Sequence, residues 1–352
     1  MRKVVAALLS LPVLLLAASC SSRGGDGMTF RDVTVVDDFP EVVELDAGSA
    51  EIVNLDVPGI IDIISRDSIL IAVSTRESPI VSLFDYSSFE PRGGFLHHGN
   101  GPKELLPFYF PSRYRTRFYV SSGSLYAEIA NADKNILRWN VSAAYSEGAE
   151  LVESLPAMFA PKSLFKWQLN DSTVLGRRLE NSSTQLVREV YVSGEARTPA
   201  FLEELDEARI NTPNDGFMIN LLSTLIAYNP ERDIVAESAM SLNVINIYSL
   251  HSGFHKSLQI GRTRPSIARE EKKTKEEEYF MPQYIWYSAA YDDFFGILYG
   301  QGREREILLL SWDGKTLRKY VLDETVSAFD INGDTLLTLC AETETIRKYK
   351  LQ

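Results

Sequence analysis

The chain has 352 residues, 45% of them hydrophobic and 24% charged, and a formal net charge of −12. An acidic balance of this size repels nucleic acid and anionic lipid surfaces, so no nucleic-acid partner is expected. With two cysteines and four histidines in the whole length, a disulfide scaffold is excluded and no Cys/His spacing resembles a zinc site.

The amino terminus carries the clearest signal. Met1-Arg2-Lys3 is basic, Val4 to Leu16 is apolar apart from Ser10 and Pro12, and Ala17-Ala18-Ser19-Cys20 follows. That order reads as a secretory signal. A cysteine directly after the small residues makes residues 1–19 look like a bacterial lipoprotein signal, with Cys20 as the lipidated first residue. The apolar run of about 13 residues is short of the roughly 18–20 that span a bilayer. Cleavage would remove 19 of the 352 residues, leaving 333. Loss of Arg2 and Lys3 would take the charge from −12 to −14. A lipid of two or three chains then holds the protein to a membrane without help from a basic patch. Residues 20–30 read as a flexible tether, rich in Ser and Gly as far as Gly27. Ser21, rather than Asp, after the cysteine leans toward the outer membrane. Both its periplasmic and its surface-exposed side stay open.

From residue 31 to residue 352 the pattern is short β-rich runs separated by turn residues, with almost no sustained helical period. One element recurs, an apolar strand with a large residue near its end. Phe84, Trp139, Tyr191, Tyr248, Leu310 and Tyr349 mark its six copies. A second apolar strand precedes most copies, at Ile69–Val73, Ser124–Ala127, Thr173–Leu175, Ile234–Ala236, Phe295–Tyr299 and Leu336–Leu339. Repeats of roughly 50 residues made of strands predict a β-propeller with blades of about four strands. The fold class is therefore all-β, a six-bladed propeller. Asn332-Gly333-Asp334 and Trp312-Asp313-Gly314-Lys315 supply tight hairpin turns. The last copy ends three residues before the chain does, so blade six lacks its outermost strand. Strand material in Glu41 to Leu55 is unused, which predicts that an N-terminal strand completes that blade and removes an exposed edge. Cys340, in an apolar run, reads as a buried thiol.

The segment Gly99-Asn100-Gly101-Pro102-Lys103-Glu104 follows the first copy. Gly99 and Gly101 allow backbone angles closed to other residues, and Pro102 stiffens the exit. This G-x-G-P-x-E segment, the lipoprotein signal and six blades together resemble the TolB-like six-bladed propeller lipoproteins. The C-terminal stretch from Ile307 to Leu351 is similar to that family as well. The resemblance implies fold and envelope location, and no agreed catalytic set.

Candidate ligand-binding residues are His97, His98, Gly99, Gly101 and Glu104 in this loop, and Tyr284, Trp286 and Tyr287 in an aromatic stretch. The alternative for the loop is a blade-to-blade connection fixed by backbone need. The alternative for the aromatics is packing between blades. The mixed-charge run from Arg269 to Glu278 reads as a short solvated helix in an inserted loop. His251 and His255 flank a hairpin and make a poor metal pair. No phosphate loop and no nucleophile elbow is present. No catalytic set, cofactor or metal is expected.

These features predict a lipid-anchored extracytoplasmic propeller that binds a peptide, an envelope protein or a glycan. A propeller lyase or hydrolase acting on polysaccharide or peptide is one alternative, and a structural envelope scaffold another, because fold does not decide activity.

Overall fold

The computed structural model describes residues 28–351, apart from 76–77, 108–109, 114, 133, 158–159, 161–162, 182–183, 213–215 and 279. Cys20 and residues 1–19 lie outside the described residues, as does Tyr279.

Six antiparallel sheets stand in a ring, each running from an innermost to an outermost strand. Blade 1 holds Ile60–Arg66, Ile69–Ser74, Val81–Asp85 and Pro91–Phe95. Blade 2 holds Thr116–Ser121, Ser124–Asn131, Asn135–Asn140 and Val152–Leu155. Blade 3 holds Ser163–Gln168, Thr173–Glu180, Gln185–Val192 and Glu195–Ala196. Blade 4 holds Thr224–Asn229, Ile234–Ala239, Val244–Tyr248 and His255–Ile260. Blade 5 holds Ile285–Ala290, Phe294–Tyr299, Glu306–Ser311 and Thr316–Leu322. Blade 6 holds Ala328–Asn332, Thr335–Cys340 and Thr345–Lys350.

The recurring strand is the third of every blade, and the apolar strand before it is the second. All six marker residues are buried. Five of them, all but Tyr191, sit in clusters shared by neighbouring sheets, so those large side chains fill inter-blade joints. Burying one such side chain contributes about 1.5–3 kcal/mol. The core is a set of such joints: one cluster joins blades 5, 6 and 1, another blades 1 and 2, and another blades 4 and 5.

The N-terminal strand completes blade 6 as the sequence predicts. Glu51–Val53 pairs antiparallel with Thr345–Lys350, with Val53 opposite Ile346. Val53 is buried in the joint cluster. The same segment does more than the sequence suggests. Val33–Val36 adds a parallel fifth strand outside blade 4, and Val42–Leu45 adds one outside blade 5. The chain thus runs along the rims of three successive blades before it enters blade 1. Met28, Thr29 and Phe30, assigned to the tether, are buried. Asn246 Nδ2 donates to the Met28 carbonyl, and the Phe30 N–H donates to Ser257 Oγ at 2.8 Å. The ring closes at an inner seam as well, where the Ser65 N–H of blade 1 donates to Asp330 Oδ2 of blade 6 at 2.6 Å.

The charged run forms a helix, Ile267–Glu276, capped by Ser266, but it is not a solvated one. Ile267, Glu270, Glu271 and Thr274 face inward. Glu271 accepts from the Asn211 N–H and side chain at 2.9 Å each, which ties the blade 4–5 connection to the blade 3–4 connection. Glu270 also pairs with Arg269 and Glu271 with Lys275, so the inward carboxylates are held by cations of their own helix as well as by a distant segment.

Candidate functional site

The residues expected to bind a ligand do not converge. Glu104 turns back into its own loop, where its Oε2 accepts the Gly101 N–H at 2.7 Å. A β-carbon at Gly99 would stand 2.0 Å from that same oxygen, so the glycine makes room for the carboxylate. Blade 2 then pins the loop from outside. Lys134 Nζ donates to the Gly101 carbonyl at 2.7 Å, and Asn135 Nδ2 donates to the Pro102 carbonyl at 2.8 Å. His97 is exposed and bonds Ser78 Oγ through Nδ1 at 3.0 Å. His98 stands edge-on to Phe110, with its Nδ1 buried and unpartnered.

The three aromatics also diverge. Tyr284 packs toward the blade 4–5 cluster, and its hydroxyl donates to Glu270 at 3.3 Å. Trp286 packs toward blade 6, donates Nε1–H to the Gly300 carbonyl, and carries the Arg305 guanidinium 3.8 Å above its ring. Tyr287 alone reaches the axis of the ring. Tyr284 precedes the strand and faces blade 4, whereas Trp286 and Tyr287, beside a register break between Ile285 and Tyr287, both pack on the cluster shared with blade 6.

What does converge is the central channel. It holds a buried polar network built on Arg113, which comes from the connection between blades 1 and 2. The Arg113 N–H donates to Asp62 Oδ2 at 2.9 Å, and Nε donates to the Tyr287 hydroxyl at 2.8 Å. Nη2 pairs with Asp330. Tyr287 in turn donates to Asp62 Oδ1 at 2.7 Å, and the Tyr291 hydroxyl donates to Asp330 Oδ1 at 3.2 Å. One guanidinium therefore joins the inner strands of blades 1, 5 and 6. Burial pushes the Asp62 carboxyl up, and Arg113 and the Tyr287 hydrogen bond partly offset this. Burial works against the Arg113 charge as well, but Asp330 and the neighbouring tyrosines outweigh it and raise that pKa well above its ordinary value.

Next to this network the channel opens into a cavity of about 210 Å³. Arg66, Gln168 and Ala290 line it from the last positions of the inner strands of blades 1, 3 and 5, and Tyr228 lines it from near the end of that of blade 4. Blade 2 contributes the start of its inner strand. Five cationic side chains line the cavity, Arg66, Arg113, Arg115, Arg117 and Lys166, against one carboxylate, Glu128. Arg117 pairs with Glu128 at 2.5 Å and with Asp171. Aromatic rings of Phe118, Tyr119, Trp167 and Tyr228 complete the wall. The sequence carried a signal for this site, Arg113-Tyr114-Arg115-Thr116-Arg117, three arginines in five residues of an acidic chain.

Blades, ring closure and channel define a six-bladed β-propeller. No protein-family model matches the chain, and no curated protein matches it. Solved structures share its fold. A member of the DUF4221 family from Bacteroides vulgatus is 11% identical, with a TM-score of 0.50 over 88% of this chain and 95% of that one. A presumed exported protein from Bacteroides fragilis is 14% identical, with a TM-score of 0.48 over 87% and 88%. BamB from Moraxella catarrhalis is 10% identical, with a TM-score of 0.35 over 90% and 86%. At 11% identity the likeness to the DUF4221 member shows the fold alone.

Proposed function

We propose that this chain is a lipid-anchored, extracytoplasmic propeller of the cell envelope that binds a ligand in its central channel. The observation that carries the reading is the channel cavity. It gathers cationic and aromatic side chains from four blades, with Ser288 and Ala290 of a fifth, around one concave space, the usual form of a small-ligand site. The Gly99–Glu104 loop uses its polar groups to hold its own shape and serves as a connection. The Cys20 signal and the resemblance to TolB-like lipoproteins support the envelope placement. The anchor places the ring on a membrane, and the channel takes a small molecule or the terminal unit of a glycan or peptide.

Two variants test the two halves. Cys20→Ser should move the protein from the membrane fraction to the soluble fraction, and retention in the membrane would refute the anchor. Ala290→Trp places a large ring in the channel. Across a panel of neutral sugars, acidic sugars and N-acetyl amino acids, compounds that bind the native protein should lose binding to this variant. Binding that survives an intact, blocked ring would refute the channel as the site.

A further inference from the structure

The geometry points to the channel cavity as a site for a compact organic oxyanion, a carboxylate or phosphate on a body about one sugar residue in size, with Arg66 as its principal anchor. The assignment rests on the channel reading above and names its ligand class.

Arg66 is the last residue of the blade 1 inner strand. Its Nη1 donates to the Ser65 carbonyl at 2.6 Å, and its guanidinium lies 5.0 Å from the centre of the Phe118 ring. Among the described residues it makes no ion pair, unlike Arg113 and Arg117. Arg113 lines the same cavity with a side chain only 6% exposed, and its Nη1 is buried without a hydrogen-bond partner. A buried, unpaired guanidinium nitrogen is costly and calls for a partner. Burial, then the like charge of Arg113, lowers the Arg66 pKa, so this cation sits where its charge is disfavoured. An oxyanion between the two arginines relieves both conditions. Guanidinium groups suit carboxylate and phosphate because two parallel N–H donors meet two oxygens.

Size limits the body of the ligand. A cavity of 210 Å³ holds the volume of about seven liquid waters, enough for one small ring and too little for a folded chain. Phe118, Trp167 and Tyr228 give that ring an apolar wall. Asp62 and Asp330 offset Arg113, and Glu128 and Asp171 offset Arg117, so Arg66 is the lining arginine whose charge is left for an incoming anion.

Calorimetric titration of the native protein with sodium glucuronate, N-acetylalanine and inorganic phosphate, against neutral glucose, tests this. At least one anion should bind, with affinity that falls as salt rises, and glucose should not. Arg66→Ala should weaken that binding about tenfold or more, and Arg66→Lys should restore part of it. The anion preferred separates a sugar acid, a peptide carboxylate and a phosphate as the source. Melting temperature, measured alongside, shows that each variant is folded. No anion binding up to about 10 mM, or equal binding by folded Arg66→Ala, overturns the assignment. If glucose binds as well as glucuronate and Ala290→Trp abolishes both, the anion assignment fails while the channel reading stands.

Discussion

Glycines show how one missing side chain sets local structure here, and they differ in what a β-carbon would meet. At Gly300 the backbone has φ +144° and a β-carbon would lie 2.1 Å from the Glu304 carbonyl oxygen, which cannot swing away. At Gly99 the obstacle is the end of the Glu104 side chain, which can. Gly300→Ala should therefore cost about 3 kcal/mol or more, combining backbone strain with overpacking. Gly99→Ala should cost about 1 kcal/mol, the worth of the displaced hydrogen bond. Urea unfolding midpoints measure both, and equal costs would contradict the distinction. The same comparison explains what was legible in the sequence. The glycine pair and Pro102 marked a fixed loop. That the Glu104 carboxylate faces inward depends on Lys134, Asn135 and the Gly101 N–H, partners that no local pattern announces.

Elements were legible wherever burial repeats. Second and third strands pack on both faces, so they read as apolar runs ending in Phe84, Trp139, Tyr191, Tyr248, Leu310 and Tyr349. Inner strands did not, because one face lines a polar channel. Thr116–Ser121 is half-exposed and Ser163–Gln168 nearly so, which erases the apolar signature. Val33–Val36 was missed and the blade 5 pairing of Val42–Leu45 was not foreseen for a related reason: these strands lie on the rim, and much of their surface stays in water. Between blades 3 and 4 the joint holds charges where an apolar core would be expected. Arg188 pairs with Glu237 at 2.7 Å and with Asp206 at 2.7 Å, and the Tyr248 hydroxyl donates to Glu237 at 3.0 Å. Burial alone would raise the Glu237 pKa, but Arg188 and Arg177 outweigh it and lower it from 4.5 to about 2. The folded value is below the unfolded one, so this stabilisation is fully present above about pH 4.5 and is lost as pH falls through about 2. The contribution is on the order of 3 kcal/mol. Urea unfolding between neutral pH and pH 3 should show the decline. Glu237→Gln should flatten it and cost about 3–5 kcal/mol at neutral pH, because it leaves Arg188 and Arg177 buried without that charge. An unchanged pH slope in the variant would assign the decline to other carboxylates.

On the scale of the whole molecule, the chain closes its ring twice. Glu51–Val53 covers the outer edge of blade 6, and the Ser65–Asp330 and Asn332–Asp67 hydrogen bonds join blades 1 and 6 near the axis. Closure covers the long edge of Thr345–Lys350 with a three-residue strand and holds six inner strands around one channel. Arg113 braces three of them, so the floor of the cavity is part of the framework that holds the ring. A rigid floor suits recognition, because the arginines are ordered before a ligand arrives. On the proposed reading, the channel makes this chain a binding propeller and the Cys20 signal would hold it at a membrane. A crystal structure of the protein grown with the anion it binds most tightly among glucuronate, N-acetylalanine and phosphate tests that description most directly. The expected result is that anion in the channel, its carboxylate or phosphate oxygens about 3 Å from the Arg66 guanidinium. An empty channel, with the anion on the Gly99–Glu104 loop or the outer rim, would contradict it.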